Sequence, residues 1–191
     1  MYRQHEGGLC LATDDQFVIG CDETGRLTGE YILKELAHTG LGRRHLAIAV
    51  LLYDSHGQVL LQQRKHRVFG DVWDLTGATH PLHRSDGTDE TPRQAVLRCL
   101  KREYDVAGID VKCIGVFDYY ASSGDVCENE HCALYIGQYD GEIRLNPEVG
   151  HGYRWVDKRE FRRDIAANPR AYSPWAAEAV KVLDGSGFFR T

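Results

Sequence analysis

The sequence has few of the features that mark membrane, secreted or disulfide-bonded proteins. None of its apolar runs approaches the roughly 18–20 residues that a membrane-spanning helix needs. Residues 1–8 lack the apolar core of a secretion signal. The six cysteines include no Cys-x-x-Cys pair, so their scatter favours reduced thiols over a disulfide framework. We therefore expect a cytoplasmic protein with no membrane partner.

The charge of the sequence is also modest. Its formal net charge is −5, which gives no positive field that would attract nucleic acid or an anionic membrane. With 191 residues the chain supports one sizeable core, whereas two full domains would be cramped. We expect an N-terminal extension over residues 1–15, a single domain over residues 16–191, no nucleic-acid partner, and a monomer or a weak homodimer.

Strand patterns outnumber helix patterns along the chain. Alternation and turn signals predict strands over residues 16–21, 27–31, 45–54, 58–63, 73–76, 111–120, 128–138 and 152–156. Helices are predicted over residues 32–37, 92–104, 159–166 and 174–183, and a loop over residues 77–87. This order predicts a mixed α/β domain of the α+β kind, with helices packed against sheets.

Two glutamates interrupt the most informative of these strand patterns. If residues 128–138 form a strand, Glu128 and Glu130 share a face with Cys132, Leu134 and Ile136, because side chains alternate along a strand. The apolar end of this row predicts that the face is buried. Two same-face carboxylates roughly 6.5–7 Å apart at Cα would repel one another there unless a cation lies between them or one carries a proton. A functional site and a solvated edge strand both remain open at this point.

The clearest helix carries a third carboxylate on its inward face. Thr91 supplies an N-cap, Pro92 stands at the first helical position, and Gln94 occupies the capping-box position. The buried stripe that follows consists of Val96, Cys99, Leu100, Glu103 and Tyr104. An unpaired carboxylate on a buried stripe is costly, so Glu103 is a candidate functional group.

Three histidines stand in positions that suit a metal site. His38 follows a predicted short helix, His45 opens an apolar strand, and His80 lies in the predicted loop. Each one alone is more often a structural histidine than a ligand. Together with Glu128 and Glu130 they would form a set of three imidazoles and two carboxylates, which suits zinc, manganese, iron or magnesium.

Spacing alone does not bring these five residues together. Each of them lies in one of several ordered segments of the sequence. The segments are Ala37-His38-Thr39, Arg44-His45-Leu46-Ala47, the stretch from Trp73 to His80-Pro81, the helix ending in Glu103, Glu128-Asn129-Glu130, and Tyr172-Ser173-Pro174-Trp175. In this order they resemble type 1 isopentenyl-diphosphate isomerase, a family of the Nudix superfamily. The resemblance implies a single-domain Nudix fold, in which mixed β-sheets are sandwiched with helices, and an enzyme that converts isopentenyl diphosphate to dimethylallyl diphosphate.

The resemblance also implies two metal sites. A first divalent ion (zinc, manganese or magnesium) would be held by His38, His45, His80, Glu128 and Glu130. Glu130 would also act as an acid or base, with its proton affinity set by the metal. Glu103 would bind a second ion, Mg²⁺, which also holds the diphosphate of the substrate.

Further roles in catalysis and substrate binding are implied in the same way. Tyr120, with Tyr119 as the alternative, would lie near the reacting carbons, and Trp175 would stabilise the carbocation with its π face. The diphosphate would be bound by Lys34, Arg64, Lys65 and Arg67. Without the resemblance, Trp175 would be a core residue and the basic side chains would be solvated.

The sequence departs from the family at a catalytic position. The isomerases carry a catalytic cysteine two residues before the third histidine, and Ala78 stands at that position here. A methyl group cannot transfer a proton, and the hydroxyl of Thr79 is a poor substitute. Working without this thiol is therefore part of the isomerase hypothesis.

A second departure concerns the helix that ends in Glu103. Nudix hydrolases carry the pattern Arg-Glu-U-x-Glu-Glu-x-Gly-U on this helix, where U is an apolar residue. Cys99 and Arg102 replace two of its glutamates here, and Asp105 replaces its glycine. The alternatives to an isomerase are a Nudix hydrolase of a prenyl or nucleoside diphosphate, which this helix equips poorly, and a non-catalytic protein that binds metal and diphosphate.

Overall fold

The computed structural model of the protein describes residues 16–66 and 68–190. The expected extension over residues 1–15, and Arg67, lie outside these ranges. Within them the chain forms ten strands and four α-helices. The strands are β1 (Phe17–Cys21), β2 (Leu27–Leu33), β3 (His45–Tyr53), β4 (Gln58–Arg64), β5 (Trp73–Asp74), β6 (Gly77–Thr79), β7 (Leu82–His83), β8 (Lys112–Ser123), β9 (Val126–Gln138) and β10 (Gly150–Asp157). The helices are α1 (Lys34–Ala37), α2 (Pro92–Tyr104), α3 (Lys158–Ala167) and α4 (Pro174–Ser186), and a 3-10 turn spans Pro169–Ala171.

The predicted elements are present in the predicted order, with two differences. The loop expected over residues 77–87 is wrong, because β6 pairs with β3 and β7 pairs with β1. Strands of two or three residues are too short to show a periodicity, so only their partners reveal them. The first helix begins at Lys34 rather than at residue 32, because β2 stays paired with β1 through Leu33.

Strand β3 lies at the centre of the sheet. It runs parallel to β9 and antiparallel to β6, and the longer path through the sheet is β10-β4-β3-β1-β2. Strand β8 extends the sheet beyond β9 through a long antiparallel pairing. This arrangement gathers the start of β3, the end of β6 and the first half of β9 in one region.

Two hydrophobic layers cover the two faces of β3, because its side chains alternate. One face carries Ala47, Ala49 and Leu51, which pack in a cluster with residues of α3 and α4 that include Phe161 and Trp175. The other face packs against α2 and contributes Ile48, Val50 and Leu52 to a cluster with Val96, Leu100 and Tyr104. The observed architecture is therefore a single mixed-sheet α+β domain sandwiched between helices, as predicted.

Helix α2 has the termini that its sequence predicts. Thr91 and Gln94 form a complete capping box, and Asp105 ends the helix in a left-handed conformation with φ of 59°. The buried face includes Glu103, which is 3% exposed. The predicted inward position of this carboxylate is thus confirmed.

Candidate active site

The pairing of β3 with β9 brings the first two candidate ligands together. His45 lies directly opposite Glu130 in the parallel register, so both side chains project from the same face. On that face Glu130 is followed by Cys132, Leu134 and Ile136, which pack in the cluster under α4. The predicted buried row of β9 is therefore confirmed.

Neighbouring elements supply two more histidines. His38 ends α1, and its backbone carbonyl accepts a hydrogen bond from Cys127 N of β9 at 2.9 Å. His80 directly follows β6, which is paired with β3. Ligand atoms of His38, His45, His80 and Glu130 all lie within 4.8 Å of one another.

The side chains of this cluster converge on one oxygen. Glu130 Oε1 lies 2.7 Å from His80 Nε2, 3.4 Å from His45 Nε2 and 3.8 Å from His38 Nε2. Glu128 Oε2 lies 3.0 Å from His38 Nε2 on the same side. The five residues that the resemblance named as ligands therefore lie together.

Backbone carbonyls fix the orientation of two imidazole rings. Lys34 O lies 2.6 Å from His38 Nδ1, and Arg43 O lies 2.7 Å from His45 Nδ1. A carbonyl can only accept a hydrogen bond, so each Nδ1 carries the proton and the opposite Nε2 faces Glu130. His45 Nε2 is buried and has no hydrogen-bond partner among the described residues. Histidines that ligate metals are typically held in this way, so the cluster fits a divalent ion.

The charge state of the metal-free cluster follows from burial and from its two carboxylates. Burial lowers the pKa of His38, but Glu128 and Glu130 outweigh it and raise that pKa to about 10. Burial lowers the pKa of His80 to about 3 against the attraction of Glu130. Burial alone would raise the pKa of Glu130, yet the surrounding imidazoles hold it well below its usual value. Without metal the cluster therefore retains a proton on His38, which a divalent ion would displace.

His38, His80, Glu128 and Glu130 of the cluster line a cavity of about 210 Å³. Three further kinds of side chain line this cavity. The basic ones are Lys34, Arg64, His66 and Arg102, the aromatic ones are Tyr119 and Trp175, and the small or aliphatic ones are Val68, Ala78, Thr79 and Val126. The position that lacks the family cysteine thus lies in the cavity wall.

The aromatic wall contains Tyr119 rather than Tyr120. Tyr119 is paired with Glu130 across β8 and β9, and its hydroxyl donates a hydrogen bond to Glu130 Oε2. Tyr120 points to the other face of β8, is 53% exposed and does not line the cavity. Consecutive strand residues face opposite ways, so Tyr119, the alternative that the sequence offers, lies beside Glu130 and Tyr120 does not.

Trp175 is held between aromatic and cationic neighbours. It is 3% exposed, its ring centroid lies 5.9 Å from that of Tyr119, and the Arg64 guanidinium carbon lies 4.6 Å from its ring centroid. Arg64 also donates to Asp74 at 2.8 Å, and Asp74 accepts from Ser173 Oγ at 2.7 Å. These contacts fix Trp175 and Arg64 together at the cavity wall.

The structure divides the four residues expected to bind diphosphate. Lys34 and Arg64 line the cavity. Lys65 does not, because its Nζ donates to Pro147 O at 2.8 Å on the protein surface. Arg67 lies outside the described residues. The prediction for Lys65 is therefore not supported by its position, since a basic run in a turn does not point all its side chains the same way.

Glu103 lies apart from the histidine cluster. Its Oε1 accepts from Arg102 Nη2 at 2.8 Å and its Oε2 from Gln62 Nε2 at 3.1 Å. A Cβ built at Gly77 would lie 3.5 Å from Oε2, which places the carboxylate beside the start of β6. The buried carboxylate is thus paired, and its role toward a second metal ion remains a prediction.

Sequence reasoning missed Arg102, which it treats only as the replacement of a glutamate, yet its side chain lines the cavity. His66 also lines the cavity and stands within the basic run of residues 64–67. Arg102 could have been found from its helical position, because it directly precedes the inward Glu103.

Comparisons with known proteins identify the family. Residues 43–176 match the model of the NUDIX domain. The chain is 37% identical over 171 residues to isopentenyl-diphosphate Delta-isomerase of Nocardia farcinica, covering 86% of this chain and 93% of the relative. It is 32% identical over 176 residues to the isomerase of Mycolicibacterium vanbaalenii, covering 90% and 93%. The chain belongs to the isopentenyl-diphosphate isomerase family of the Nudix superfamily.

Solved structures support the same fold at lower identity. A crystal structure from Deinococcus radiodurans aligns with a TM-score of 0.66 at 19% identity, covering 87% of this chain and 98% of that chain. A MutT NUDIX hydrolase from Burkholderia pseudomallei aligns with a TM-score of 0.53 at 18% identity, covering 73% and 97%. Helices that are both long and apolar enough to span a bilayer are absent from the described part of this isomerase-family chain.

Proposed function

We propose that this protein converts isopentenyl diphosphate to dimethylallyl diphosphate. The observation that carries the proposal is a single cavity that joins the histidine–glutamate cluster to an aromatic wall and to several cations. Protonation of an alkene needs an acid or base, a group that stabilises a carbocation, and a site for the diphosphate. The three parts of the cavity wall match these three needs.

We propose that His38, His45, His80, Glu128 and Glu130 bind a divalent zinc, manganese or magnesium ion. The carbonyl-oriented rings support this assignment, and so does the buried His45 Nε2, which lies 3.4 Å from Glu130 Oε1 without forming a hydrogen bond. When bound, the ion supplies a fixed positive charge that sets the proton affinity of the carboxylates it touches.

The chain's own groups would then handle the proton and the carbocation. Glu130 accepts or returns a proton at a carboxylate oxygen, and the Tyr119 hydroxyl that donates to Oε2 orients that carboxylate. Trp175 presents a buried aromatic ring to the same cavity, and a desolvated cation–π contact is worth about 2 kcal/mol.

Diphosphate binding falls to the cationic part of the wall in this proposal. Lys34 and Arg64 are the supported members, and Arg67 keeps its predicted role. Glu103 would hold Mg²⁺ together with the diphosphate, which requires its carboxylate to exchange its present partners for the ion. The cytoplasmic location and the monomeric or weakly dimeric state also remain predictions.

Ala78 is the weak point of an isomerase mechanism. The family resemblance puts a proton-transferring thiol at this position, and the methyl group of Ala78 lines the cavity instead. In our proposal a water molecule carries the proton on this side of the substrate. The expected consequence is a slow isomerase rather than an inactive one.

A diphosphate hydrolase is the second candidate, because hydrolysis loses nothing from the absence of a thiol at Ala78. The fold is shared with a solved Nudix hydrolase. Against this candidate, the helix retains only Glu103 of the three hydrolase glutamates, with Cys99 buried and Arg102 cationic at the other two positions. A non-catalytic binding protein is disfavoured, because the matched relatives are named as isomerases.

A product assay separates these candidates. The purified protein is loaded with Mn²⁺ or Zn²⁺ and incubated with labelled isopentenyl diphosphate and Mg²⁺. Formation of dimethylallyl diphosphate supports the isomerase, and release of phosphate supports the hydrolase. If neither product forms, both catalytic candidates are contradicted.

A further inference from the structure

Arg102 is a cavity residue that has no role in the metal site, the proton transfer or the diphosphate binding proposed above. Its side chain lines the cavity, and it stands on α2 where Nudix hydrolases carry a glutamate. The side chain is 45% exposed, whereas that of its partner Glu103 is 4% exposed. Among the described residues, Glu103 is the only hydrogen-bond acceptor for this guanidinium. Because a guanidinium has five N–H donors, most of its donors remain available to a ligand.

Glu103 and Gln62 hold Arg102 in place. Gln62 is 2% exposed and donates both to Glu103 at 3.1 Å and to Tyr104 Oη at 2.9 Å. Tyr104 in turn donates to the backbone carbonyl of Thr76. The carboxylate that binds Arg102 is thus anchored in the core, so the guanidinium is oriented at the cavity rather than free on the surface.

The neighbours of Arg102 in the cavity are also basic. Lys34, Arg64 and His66 line the same space. Burial and then the charges of Arg64, Arg102 and Lys34 lower the pKa of His66 to about 4. Burial and then the charge of Arg102 also lower the pKa of Lys34. Lys34, Arg64 and Arg102 repel one another until an anion enters. Within the described ranges, Asp74 pairs with Arg64 and Glu103 with Arg102, while Lys34 has no carboxylate partner.

We propose that Arg102 is a substrate-binding residue whose guanidinium forms paired hydrogen bonds with the diphosphate. This inference rests on the proposed function, which supplies the diphosphate. The planar fork of arginine matches two phosphate oxygens, whereas a lysine offers only a point charge. A diphosphate would also supply acceptors for the N–H donors of the guanidinium that Glu103 does not use.

The inference also gives a reason for the departure from the hydrolase pattern. A glutamate at this position of a hydrolase collects metal ions that activate water against the diphosphate. An arginine there binds the same anion without activating water. The substitution would therefore keep the diphosphate intact while its carbon chain reacts.

Calorimetric titration with inorganic pyrophosphate in a Mg²⁺ buffer tests this role without any turnover. The proteins compared are the wild type, Arg102→Gln, Arg102→Lys and the control Lys101→Gln. Lys101 is the adjacent residue on α2 and pairs with Asp105 on the surface, so its replacement removes the same charge outside the cavity. Thermal unfolding of each variant checks that the fold is intact.

We expect Arg102→Gln to weaken pyrophosphate binding about 10- to 100-fold, because a charge-assisted hydrogen bond is lost. Arg102→Lys keeps the charge and should lose about 3- to 10-fold, while Lys101→Gln should stay within about twofold. With isopentenyl diphosphate, KM should rise more than kcat falls, since the lost binding is uniform.

Two results would overturn the inference in distinguishable ways. If the wild type binds pyrophosphate and all the variants bind it equally well, Arg102 does not contact the diphosphate, although the proposed function stands. If the wild type itself fails to bind pyrophosphate, the diphosphate site of the proposed function fails and the role of Arg102 fails with it. Should Arg102→Gln not fold, Arg102→Lys alone still tests the paired hydrogen bonds.

Discussion

The metal cluster and the cationic side chains of the cavity wall are built in different ways. In the metal cluster, the register of β3 and β9 sets His45 beside Glu130, and backbone carbonyls orient His38 and His45. Among the cationic side chains, Lys34 and Arg102 each have one side-chain hydrogen-bond partner within the described residues, the Gln16 amide oxygen at 3.3 Å and the Glu103 carboxylate. The metal cluster is thus held by the sheet itself, whereas Lys34 and Arg102 depend on single side-chain contacts.

This difference indicates how the metal cluster and the cationic side chains tolerate substitution. A group held by the sheet is pre-organised for chemistry, so its loss should remove most of the activity. A group held by one side-chain contact supplies binding free energy that its neighbours also supply. Its loss should therefore remove only part of the binding. Variants of the metal cluster should therefore lose more activity than variants of Lys34 or Arg102.

Glu130→Gln should cause the largest loss. The substitution removes the carboxylate on which three imidazoles converge and the group proposed to move the proton. General acid–base catalysis contributes about 100- to 10,000-fold, so kcat should fall by an amount in that range. Metal content, measured by mass spectrometry of the purified variant, should also fall. A variant that keeps activity within tenfold of wild type would contradict the role of Glu130.

Ala78→Cys should raise the activity. A thiol at this cavity position would restore a proton donor or acceptor, and we expect kcat to increase about 100-fold. Thr79→Cys is the matched control, because it adds a thiol at the next cavity residue and should change kcat by less than about threefold. If Ala78→Cys changes nothing, another group already performs this transfer.

Tyr119→Phe and Tyr120→Phe form a pair that separates the two faces of β8. Loss of the Tyr119 hydroxyl removes the hydrogen bond to Glu130, which should lower kcat about tenfold. Tyr120 is exposed, so its variant should stay within about twofold of wild type. Steady-state kinetics of both variants at one pH measure the difference, and the reverse order of effects would restore the original assignment to Tyr120.

Lys34→Ala and Lys65→Ala compare two lysines that the sequence treats alike. Lys34 lines the cavity, and its replacement should raise KM for isopentenyl diphosphate about fivefold. Lys65 donates to Pro147 O outside the cavity, so KM should stay within about twofold. Equal increases for both variants would show that the basic run acts as a unit.

The pH dependence of the metal-free protein should have a definite sign. The folded-state pKa values of His38 and Glu128 are raised to about 10 and about 7, above their ordinary values of 6.5 and 4.5. Each group therefore stabilises the fold most below its ordinary pKa and loses that contribution as pH rises through the raised one. Tm of the metal-free protein should fall by a few degrees between about pH 6 and pH 9. Metal-loaded protein should show a smaller change, and a rise in Tm without metal would contradict these shifts.

Much of the metal cluster could be predicted from the sequence, because the direction of its strand side chains follows from periodicity. The alternation of β9 predicts that Glu130 and Cys132 face the core, and the stripe of α2 predicts the inward Glu103. The five ligands needed the family resemblance in addition, because His38 and His80 come from separate short elements. The structure then brings them together through strand pairing that no single segment encodes.

The cationic and aromatic side chains of the cavity wall were harder to predict for a physical reason. Basic residues in turns carry no periodic signal, so Lys65 and Arg64 cannot be separated by sequence, although only Arg64 lines the cavity. The choice between Tyr119 and Tyr120 depends on the register of β8 against β9. The position of Arg102 in the cavity wall depends on how α2 packs against the sheet, which the sequence of the helix does not show. In each case the missing information is the direction of a side chain relative to a partner element.

Incubation of the metal-loaded protein with isopentenyl diphosphate in D₂O, followed by ¹H and ³¹P NMR, shows whether the cavity isomerises or hydrolyses the substrate. If the cavity performs isomerisation, dimethylallyl diphosphate should appear with deuterium in a methyl group, because water carries the proton beside Ala78. The ³¹P signals should remain those of an intact diphosphate. Release of inorganic phosphate or pyrophosphate with an unchanged isopentenyl chain would contradict the account and favour the hydrolase.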